Sequence, residues 1–270
     1  MRDMPFEEPH QVDVDTPNIA RMYDYLLGGA ANFAIDREAG ETFMSGYPGI
    51  TTWAQINRSF LGRAVRHLCR AGIDQFLDLG SGVPTVGNVH EIARRENPAA
   101  LVAYVDIEDV AVHHARRLLE PHDQHVTVNQ IDLRDPQAVL TAPGVTGLFD
   151  FARPVALLAV AILDIIAVDD PKALMATYRD ACAPGSALVI SHSAQLAMSP
   201  EERAHIDAMI SGTNTPDQHW RTHDEVAALL PGYTLLNPGV VPSAAWRPDE
   251  PITDEHAARS NAYAAVGLLP

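Results

Sequence analysis

The sequence predicts an α/β fold in which a mainly parallel sheet is covered by helices on both faces. Short apolar runs, which are typical of buried strands, alternate with segments that carry apolar residues at helical spacing. One run, residues 76–79, leads directly into a Gly-Ser-Gly turn. Asp78, Asp106 and Asp132 lie at or next to the carboxyl ends of three runs and are 28 and then 26 residues apart. This spacing is close to the roughly 30 residues of one strand–helix–strand unit.

The composition favours one globular domain with an appendage. With 270 residues, of which 47% are hydrophobic, the chain can bury one large core. A formal net charge of −16 argues against a nucleic-acid partner, because such binding depends on clusters of Lys and Arg. Cys69 and Cys182 are far apart and are expected to be reduced core thiols. We expect a cytoplasmic protein without a membrane partner, since neither an apolar run of membrane-spanning length nor a signal-peptide pattern is present.

The amino-terminal part of the chain predicts a tail followed by helices. Residues 1–15 combine acids and prolines with few apolar residues, which predicts a flexible tail. Residues 16–37 predict a helix capped by Thr16, a break at the glycine pair 28–29, and a second helix. Residues 42–69 carry apolar residues at helical spacing and predict a helix that packs on the sheet.

Strands and helices are predicted to alternate through the rest of the chain. Pro84 is suited to a first helical turn, so a helix is expected to begin there. Residues 242–254, rich in proline and acids, predict a surface loop. The predicted strands are 76–79, 101–106, 126–132, 154–162, 187–192, 233–236 and 262–268. The predicted helices after the one at Pro84 are 110–119, 171–182, 201–210 and 223–230.

The three aspartates at strand ends predict a ligand site. Right-handed crossovers bring Asp78, Asp106 and Asp132 to one edge of the sheet, which is where open α/β folds bind ligands. The alternative is that each acid merely belongs to a turn. That alternative is weaker for three acids in register than for one.

The turn after the first strand favours a nucleoside ligand that also carries an amino group. Gly80 and Gly82, with Ser81 between them, let a ligand approach the main chain closely. A dinucleotide motif would have a third glycine where this chain has Thr85, which disfavours NAD. Asp78 would repel a pyrophosphate but would pair with an ammonium group. S-adenosylmethionine has a nucleoside and an α-amino group and fits this pattern; a structural glycine turn without a ligand is the alternative.

The stretch 20–29 reads Ala-Arg-Met-Tyr-Asp-Tyr-Leu-Leu-Gly-Gly and is followed by Asn32-Phe33 and Asp36-Arg37. Together with residues 80–85, which read Gly-Ser-Gly-Val-Pro-Thr, it closely resembles an actinobacterial family of S-adenosylmethionine-dependent methyltransferases of the DUF574 type. The similarity continues through residues 88–91, 221–225 and 238–242. It therefore spans nearly the whole chain.

This resemblance implies a class I methyltransferase fold, with a mainly parallel seven-stranded sheet, helices on both faces and an amino-terminal helical lid. It divides the chain into the tail 1–15, a lid segment 16–72 and a cofactor-binding domain 73–270. It also implies that Asp78 and the backbone of the glycine turn hold the methionine end of the cofactor, and that Asp106 binds the ribose hydroxyls. The residues that would face the adenine are Ile107, Asp132 and Leu133.

Methyl transfer from a sulfonium needs little acid–base help, because alignment supplies most of the acceleration. Asp164, after the fourth strand, is a candidate general base at a place where family members often have histidine. A non-catalytic role for Asp164 is the alternative. His192, at the end of the fifth strand, is the other candidate, with a structural histidine as its alternative. No clustered acids specify a metal site.

Arg21, Tyr23 and Tyr25 lie on the helix that ends at the glycine pair. A lid carrying these side chains would exclude water, place aromatic faces near the sulfonium and direct Arg21 towards a carboxylate. The alternative is that the tyrosines only pack this helix onto the sheet.

Two functions are compatible with these observations. The first is a methyltransferase that acts on oxygen or nitrogen of a small molecule, as a monomer or a homodimer. The second is a regulatory protein that binds S-adenosylmethionine or S-adenosylhomocysteine without turnover. An open, partly apolar pocket favours the enzyme, and a sealed pocket favours the regulatory protein.

Overall fold

The computed structural model describes residues 13–84, 87–119, 123–215 and 217–270. The predicted tail lies outside the described residues except for positions 13–15, which are exposed and have no helix or strand. Within these ranges, no helix is both long and apolar enough to cross a membrane.

The described residues form one mostly parallel sheet in the spatial order β3-β2-β1-β4-β5-β8-β6, with β7 also paired to β8. Strands β1 to β5 are parallel, and β8 runs antiparallel to its three neighbours. The strands are β1 (Gln75–Leu79), β2 (Leu101–Asp106), β3 (Val126–Gln130), β4 (Ala156–Val160), β5 (Ala187–Ser193), β6 (Thr234–Leu235), β7 (Val241–Pro242) and β8 (Ala262–Leu268).

The predicted α/β class and mainly parallel sheet are confirmed, but the predicted count of seven strands is wrong. The additional strand is β7, which ends at Pro242, where the predicted surface loop begins. Val241 pairs with Ala264 and Pro242 with Tyr263. The segment is at the end of the sheet, where a proline is tolerated because its missing N–H removes no central ladder bond.

Helices cover both faces of the sheet and one of its ends. They are α1 (Ile19–Leu26), α2 (Ala34–Gly46), α3 (Ile50–Arg70), α4 (Val89–Glu96), α5 (Asp109–Leu119), α6 (Pro136–Thr141), α7 (Pro143–Thr146), α8 (Pro171–Asp180), α9 (Pro200–Ser211), α10 (His223–Ala227) and α11 (Asp254–Ala258). A 3₁₀ turn covers Ser243–Ala245.

Several predicted helix boundaries differ from the structure. The helix predicted for 42–69 is divided, because α2 ends at Gly46 and α3 begins only at Ile50. The residue before a proline is disfavoured in the helical region, and Tyr47 precedes Pro48. The cap of α1 is Asn18 rather than Thr16, and α4 begins at Val89 rather than near Pro84.

The core has three parts. Alternate strand residues pack against α3, α4 and α5 on one face of the sheet and against α6, α7, α8 and α10 on the other. A third apolar cluster, built by α1, α2, the start of α3 and α9, includes Met22, Phe43, Ile50 and Ile206. We call these helices the roof, because a cavity separates them from the carboxyl ends of the strands.

Candidate active site

A cavity of about 610 Å³ lies between the roof and the carboxyl ends of the parallel strands. It brings together nearly all the site residues predicted from the sequence. Those that line the cavity are Arg21, Tyr23, Asp78, Gly80, Ser81, Gly82, Asp106, Ile107, Asp132, Leu133 and Asp164. His192 does not line it.

The glycine turn after β1 is held against the end of β2. Gly80 and Gly82 have φ values of 72° and 63°, in the left-handed region that favours glycine. The N–H groups of Gly80 and Ser81 both donate to the carbonyl oxygen of Val105, at 2.8 and 3.1 Å. A Cβ atom on Gly80 would lie 2.4 Å from the side chain of Ile162. The turn therefore needs glycine at position 80 for its conformation and for its close packing.

Asp78 presents a buried carboxylate to the cavity. Its side chain is 7% exposed, and none of the described residues donates a hydrogen bond to it. Burial raises the pKa of Asp78 to about 7, against the opposing effect of Arg58 and with a further increase from Asp106. A buried carboxylate without a donor is costly, so this position favours a cationic ligand group.

Asp106 accepts two backbone hydrogen bonds and keeps acceptor capacity. Its Oδ2 accepts from the N–H of Gly82 at 2.6 Å and its Oδ1 from the N–H of Glu108 at 2.9 Å. Burial raises its pKa, although these backbone donors act in the opposite direction. A carboxylate has about four lone-pair sites, so both oxygens of Asp106 can accept a further bond from a ligand hydroxyl.

Beyond Asp106, the cavity is lined by an apolar side chain and a paired acid. Ile107 is 60% exposed, which is unusual for an isoleucine in a folded domain. Asp132 forms an ion pair with Arg134, with Nη2 of Arg134 2.6 Å from Oδ2, and this hydrogen bond lowers the pKa of Asp132. The Leu133 side chain is buried, and its carbonyl oxygen accepts from the hydroxyl of Tyr178 at 2.7 Å.

Arg21 connects three segments around the mouth of the cavity. Its guanidinium is 2% exposed and forms ion pairs with Asp36 at 2.7 Å and Glu108 at 3.0 Å. Its Nη2 also donates to the carbonyl oxygen of Thr16 at 2.9 Å. From the sequence, the Arg21 guanidinium is expected to lie towards a carboxylate. In the structure, the carboxylates that it contacts belong to α2 and to the β2–α5 loop.

The glycine pair after α1 has a packing role. Gly28 has φ 79°, and a Cβ atom on Gly29 would lie 1.9 Å from Oδ1 of Asp24. Asp24 is buried and accepts from the N–H of Ala31 and from the side chain of Asn32, each at 2.8 Å. The Asp-x-x-x-Gly-Gly part of the sequence therefore specifies the chain path between α1 and α2.

Tyr23 lines the cavity, whereas Tyr25 faces away from it. The Tyr23 hydroxyl donates to the carbonyl oxygen of Ala54 at 3.1 Å and accepts from the Asn57 side chain at 3.2 Å. Its ring lies edge-to-face with Trp53, with centroids 5.9 Å apart. The Tyr25 hydroxyl instead contacts the carboxylate of Glu41 at the surface. Residues two positions apart on a helix do not share a face, which explains the difference.

Asp164 follows β4 and contributes a second buried carboxylate to the cavity. Its side chain is 1% exposed. Oδ2 accepts from the N–H of Ser193 at 3.1 Å and from the Ser193 hydroxyl. Oδ1 is buried and has no hydrogen-bond partner among the described residues.

His192 has a structural environment away from the cavity. Its Nδ1 donates to the carbonyl oxygen of Ser193 at 3.0 Å, and Nε2 accepts from Arg221. Burial lowers the pKa of His192, which favours the neutral ring. Successive residues of a strand face opposite sides of the sheet, so Ser193 lines the cavity and His192 does not. The predicted role of His192 as a base receives no support from this position.

Sequence analysis did not identify the apolar wall of the cavity. Its residues come from α2, α3, α9 and the segments next to α9, and they pack on one another within the roof. They include Phe43, Tyr47, Trp53, Met198, Ile206 and Trp220. The helical spacing of Ile206 and Ile210 indicates a buried face of α9, but it does not indicate which partner covers that face.

The arrangement defines a class of protein. The strand order, the glycine turn and the aspartates at the carboxyl ends of β1 and β2 form the cofactor edge of a class I methyltransferase fold. Over residues 5–270 the chain matches the S-adenosyl methyltransferase family, and it belongs to that family. It is an S-adenosylmethionine-dependent methyltransferase, and S-adenosylmethionine is its cofactor.

Solved structures agree with this assignment. A proposed methyltransferase from Thermobifida fusca YX is 37% identical, with a TM-score of 0.90 over 98% of this chain and 99% of its own. A DUF574 family protein from Streptomyces avermitilis is 31% identical, with a TM-score of 0.86 over 96% of this chain and 100% of its own. An O-methyltransferase family protein from Burkholderia thailandensis, 15% identical with a TM-score of 0.50 over 82% and 60%, shares the fold alone. No curated protein sequence matched the chain.

Proposed function

We propose that the enzyme methylates an oxygen or nitrogen atom of a small molecule. The observation that carries this proposal is the extent of the cavity, which continues from the aspartates at the strand ends into the apolar wall beneath the roof. Such a space can accept a second ligand next to the cofactor. A regulatory protein that only binds the cofactor would not need it.

The described residues fit the cofactor, and we assign their contacts as follows. Asp78 pairs with the ammonium group, Asp106 accepts the ribose hydroxyls, and the glycine turn lets the methionine end approach the main chain. The residues that pack against the adenine are Ile107, Asp132 and Leu133. When bound, S-adenosylmethionine supplies a methyl group already activated on a sulfonium. The protein then has to align the acceptor, exclude water and receive any proton that the acceptor loses.

In our proposal, the part of the roof within residues 16–72 is the lid of this site. Residues 16–72 contribute Arg21 and Tyr23 to the cavity, and the Arg21–Glu108 ion pair connects α1 to the loop that follows β2. Residues 73–270 form the cofactor-binding domain. The amino-terminal signature shared with the DUF574-type family then specifies the lid, because Arg21, Asp24 and Gly29 fix its path.

Asp106→Ala is expected to weaken the binding of S-adenosylmethionine by at least about tenfold. Charge-assisted hydrogen bonds to two ribose hydroxyls contribute about 1.5 to 3 kcal/mol each, and about 1.4 kcal/mol is a factor of ten. Calorimetry on the folded variant measures the loss. Asp169→Ala, at an exposed position outside the cavity, is the control. Unchanged affinity in Asp106→Ala would remove this residue from the site.

Labelled methyl transfer tests the proposed function directly. The protein is incubated with S-adenosylmethionine carrying a tritiated methyl group and with extract of its own cells, which is then separated by molecular mass. We expect enzyme-dependent label in the low-mass fraction. Label confined to protein or nucleic acid would contradict a small-molecule acceptor. Cofactor binding without transfer to any fraction would favour the regulatory alternative.

A further inference from the structure

The part of the cavity next to the roof can be described by its wall. Tyr23, Tyr47, Trp53 and Trp220 contribute aromatic rings, and Met198 and Ile206 contribute aliphatic surface. We call this part the acceptor chamber. Its composition suits a ligand with an aromatic or apolar body.

Most polar side chains of the acceptor chamber are already paired within the protein. The Tyr47 hydroxyl accepts from the side chain of Asn261 at 2.9 Å. The indole N–H of Trp220 donates to Asp207 at 2.8 Å. The Asn57 oxygen accepts from the Ser191 hydroxyl at 2.6 Å. Each of these groups therefore has a hydrogen-bond partner within the protein.

Asp164 differs from these paired side chains. It lines the cavity, its side chain is 1% exposed, and its Oδ1 atom has no partner among the described residues. Leaving a buried acceptor unpaired costs about 1 to 3 kcal/mol, and more for a charged group. A ligand N–H that displaces the atoms covering Oδ1 and donates to it would remove this cost.

The charged residues that line the whole cavity restrict the charge of the ligand that could donate to Oδ1 of Asp164. Among the described residues, eight carboxylates and three guanidinium groups line it, so an anionic ligand is disfavoured. The acids are Asp13, Asp78, Asp106, Glu108, Asp109, Asp132, Asp164 and Asp217. The arginines are Arg21, Arg58 and Arg134. An ammonium group suits this field, and aromatic faces also attract cations.

We infer that the acceptor is a small aromatic or apolar amine, recognised through its ammonium N–H by Oδ1 of Asp164. This inference rests on the proposed function and adds the class of substrate. A phenol fits less well, since it carries no positive charge to suit the acidic lining of the cavity. The reaction is then N-methylation.

In the inferred reaction, Asp164 is a catalytic residue, because it takes a proton from the substrate. The ammonium form gives one proton to the Asp164 carboxylate, which leaves a nitrogen lone pair. That lone pair forms the new N–C bond while the C–S bond of the cofactor breaks, and sulfur keeps the electron pair as a thioether. The products are the N-methylammonium, S-adenosylhomocysteine and the proton, which Asp164 returns to solvent.

Matched amines and alcohols test the inference. 2-Phenylethylamine is compared with 2-phenylethanol, and tryptamine with indole-3-ethanol, by calorimetry on protein saturated with S-adenosylhomocysteine. We expect each amine to bind at least about tenfold more tightly than its alcohol. Tritiated methyl transfer to the amines, with the N-methyl product identified by mass, is the second readout.

Asp164→Asn is expected to reduce the preference for the amine to less than about threefold. It keeps an oxygen that can accept from Ser193, and its affinity for S-adenosylhomocysteine reports whether the cofactor end remains folded. Asp169→Asn removes the same charge from an exposed position of the same loop and should keep the full preference.

The outcomes separate this inference from the proposed function. If the wild-type protein does not bind S-adenosylhomocysteine, the proposed function itself fails. If it binds S-adenosylhomocysteine but no amine more tightly than the matched alcohol, the amine inference is overturned and the cofactor assignment stands. An amine preference that survives in Asp164→Asn would also overturn it, because another group would then recognise the amine.

Discussion

Asp78→Asn is expected to weaken the binding of S-adenosylmethionine and S-adenosylhomocysteine by at least about a hundredfold while leaving adenosine nearly unaffected. Asp78 is buried, so the ion pair that we propose between it and the ammonium group of the cofactor would be poorly screened by water. Breaking a buried ion pair by removing one partner costs about 3 to 5 kcal/mol. Calorimetry with the three ligands measures the difference. Equal losses for all three would show that the substitution disturbed the glycine turn instead.

The same substitution is expected to stabilise the protein without ligand. Burial raises the pKa of Asp78 from 3.8 to about 7, so the unfolded state releases this proton at a lower pH than the folded state. The wild-type protein therefore loses stability as the pH rises from about 4 to about 7. One pKa unit corresponds to about 1.4 kcal/mol, so the ionised carboxylate costs the folded protein on the order of 4 kcal/mol above pH 7.

Urea unfolding of both proteins at several pH values checks this sign. Asp78→Asn should be more stable than wild type at pH 8, and the difference should shrink as the pH falls towards 4. Cofactor affinity of the wild type should also weaken below about pH 7, because the carboxylate must lose its proton before it can pair with the ammonium group. A variant that is less stable than wild type at pH 8 would contradict the desolvated carboxylate.

The parallel strands could be predicted because most of their residues are buried and form short apolar runs. The burial of β1 and β5 is complete along their whole length. Strand β7 could not be predicted in this way, since it is two residues long and ends on Pro242, where the proline- and acid-rich stretch that predicts a loop begins. The end of α2 was hidden for a related reason. Tyr47 is buried at the break, so the apolar pattern continues across it although the helix does not.

The aspartates of the cofactor edge could be predicted because chain topology places strand ends together. The hydrogen-bond and ion-pair partners of Arg21 and Asp164 could not be predicted, because they depend on contacts between residues that are distant in the sequence. Arg21 and Glu108 are 87 positions apart in the sequence. Oδ1 of Asp164 is unpaired because none of the described residues around it donates a hydrogen bond to it. No sequence pattern indicates such an absence. His192 differs from Ser193 by one strand position, and one position reverses the face of the sheet.

Arg21→Ala is expected to open the roof and to weaken cofactor binding strongly. The substitution leaves Asp36, which is completely buried, and Glu108 without their guanidinium partner. Removing one member of a buried ion pair costs about 3 to 5 kcal/mol. Burial already raises the pKa of Glu108 against the effect of Arg21, so the variant should raise that pKa further. We expect α1 and α2 to lose order while the sheet stays folded.

Hydrogen exchange of the backbone amides measures this local opening, and calorimetry measures the cofactor affinity of the same sample. Exchange should accelerate in Ile19–Leu26 and Ala34–Gly46 but not in β1 or β4. Arg37→Ala is the matched control, because Arg37 lies one position after Asp36 and its guanidinium, among the described residues, donates to Asn32 at the surface. If Arg21→Ala exchanges and binds like the control, the roof is held by its apolar contacts. Glu108 would then have no part in connecting the roof to the cofactor edge.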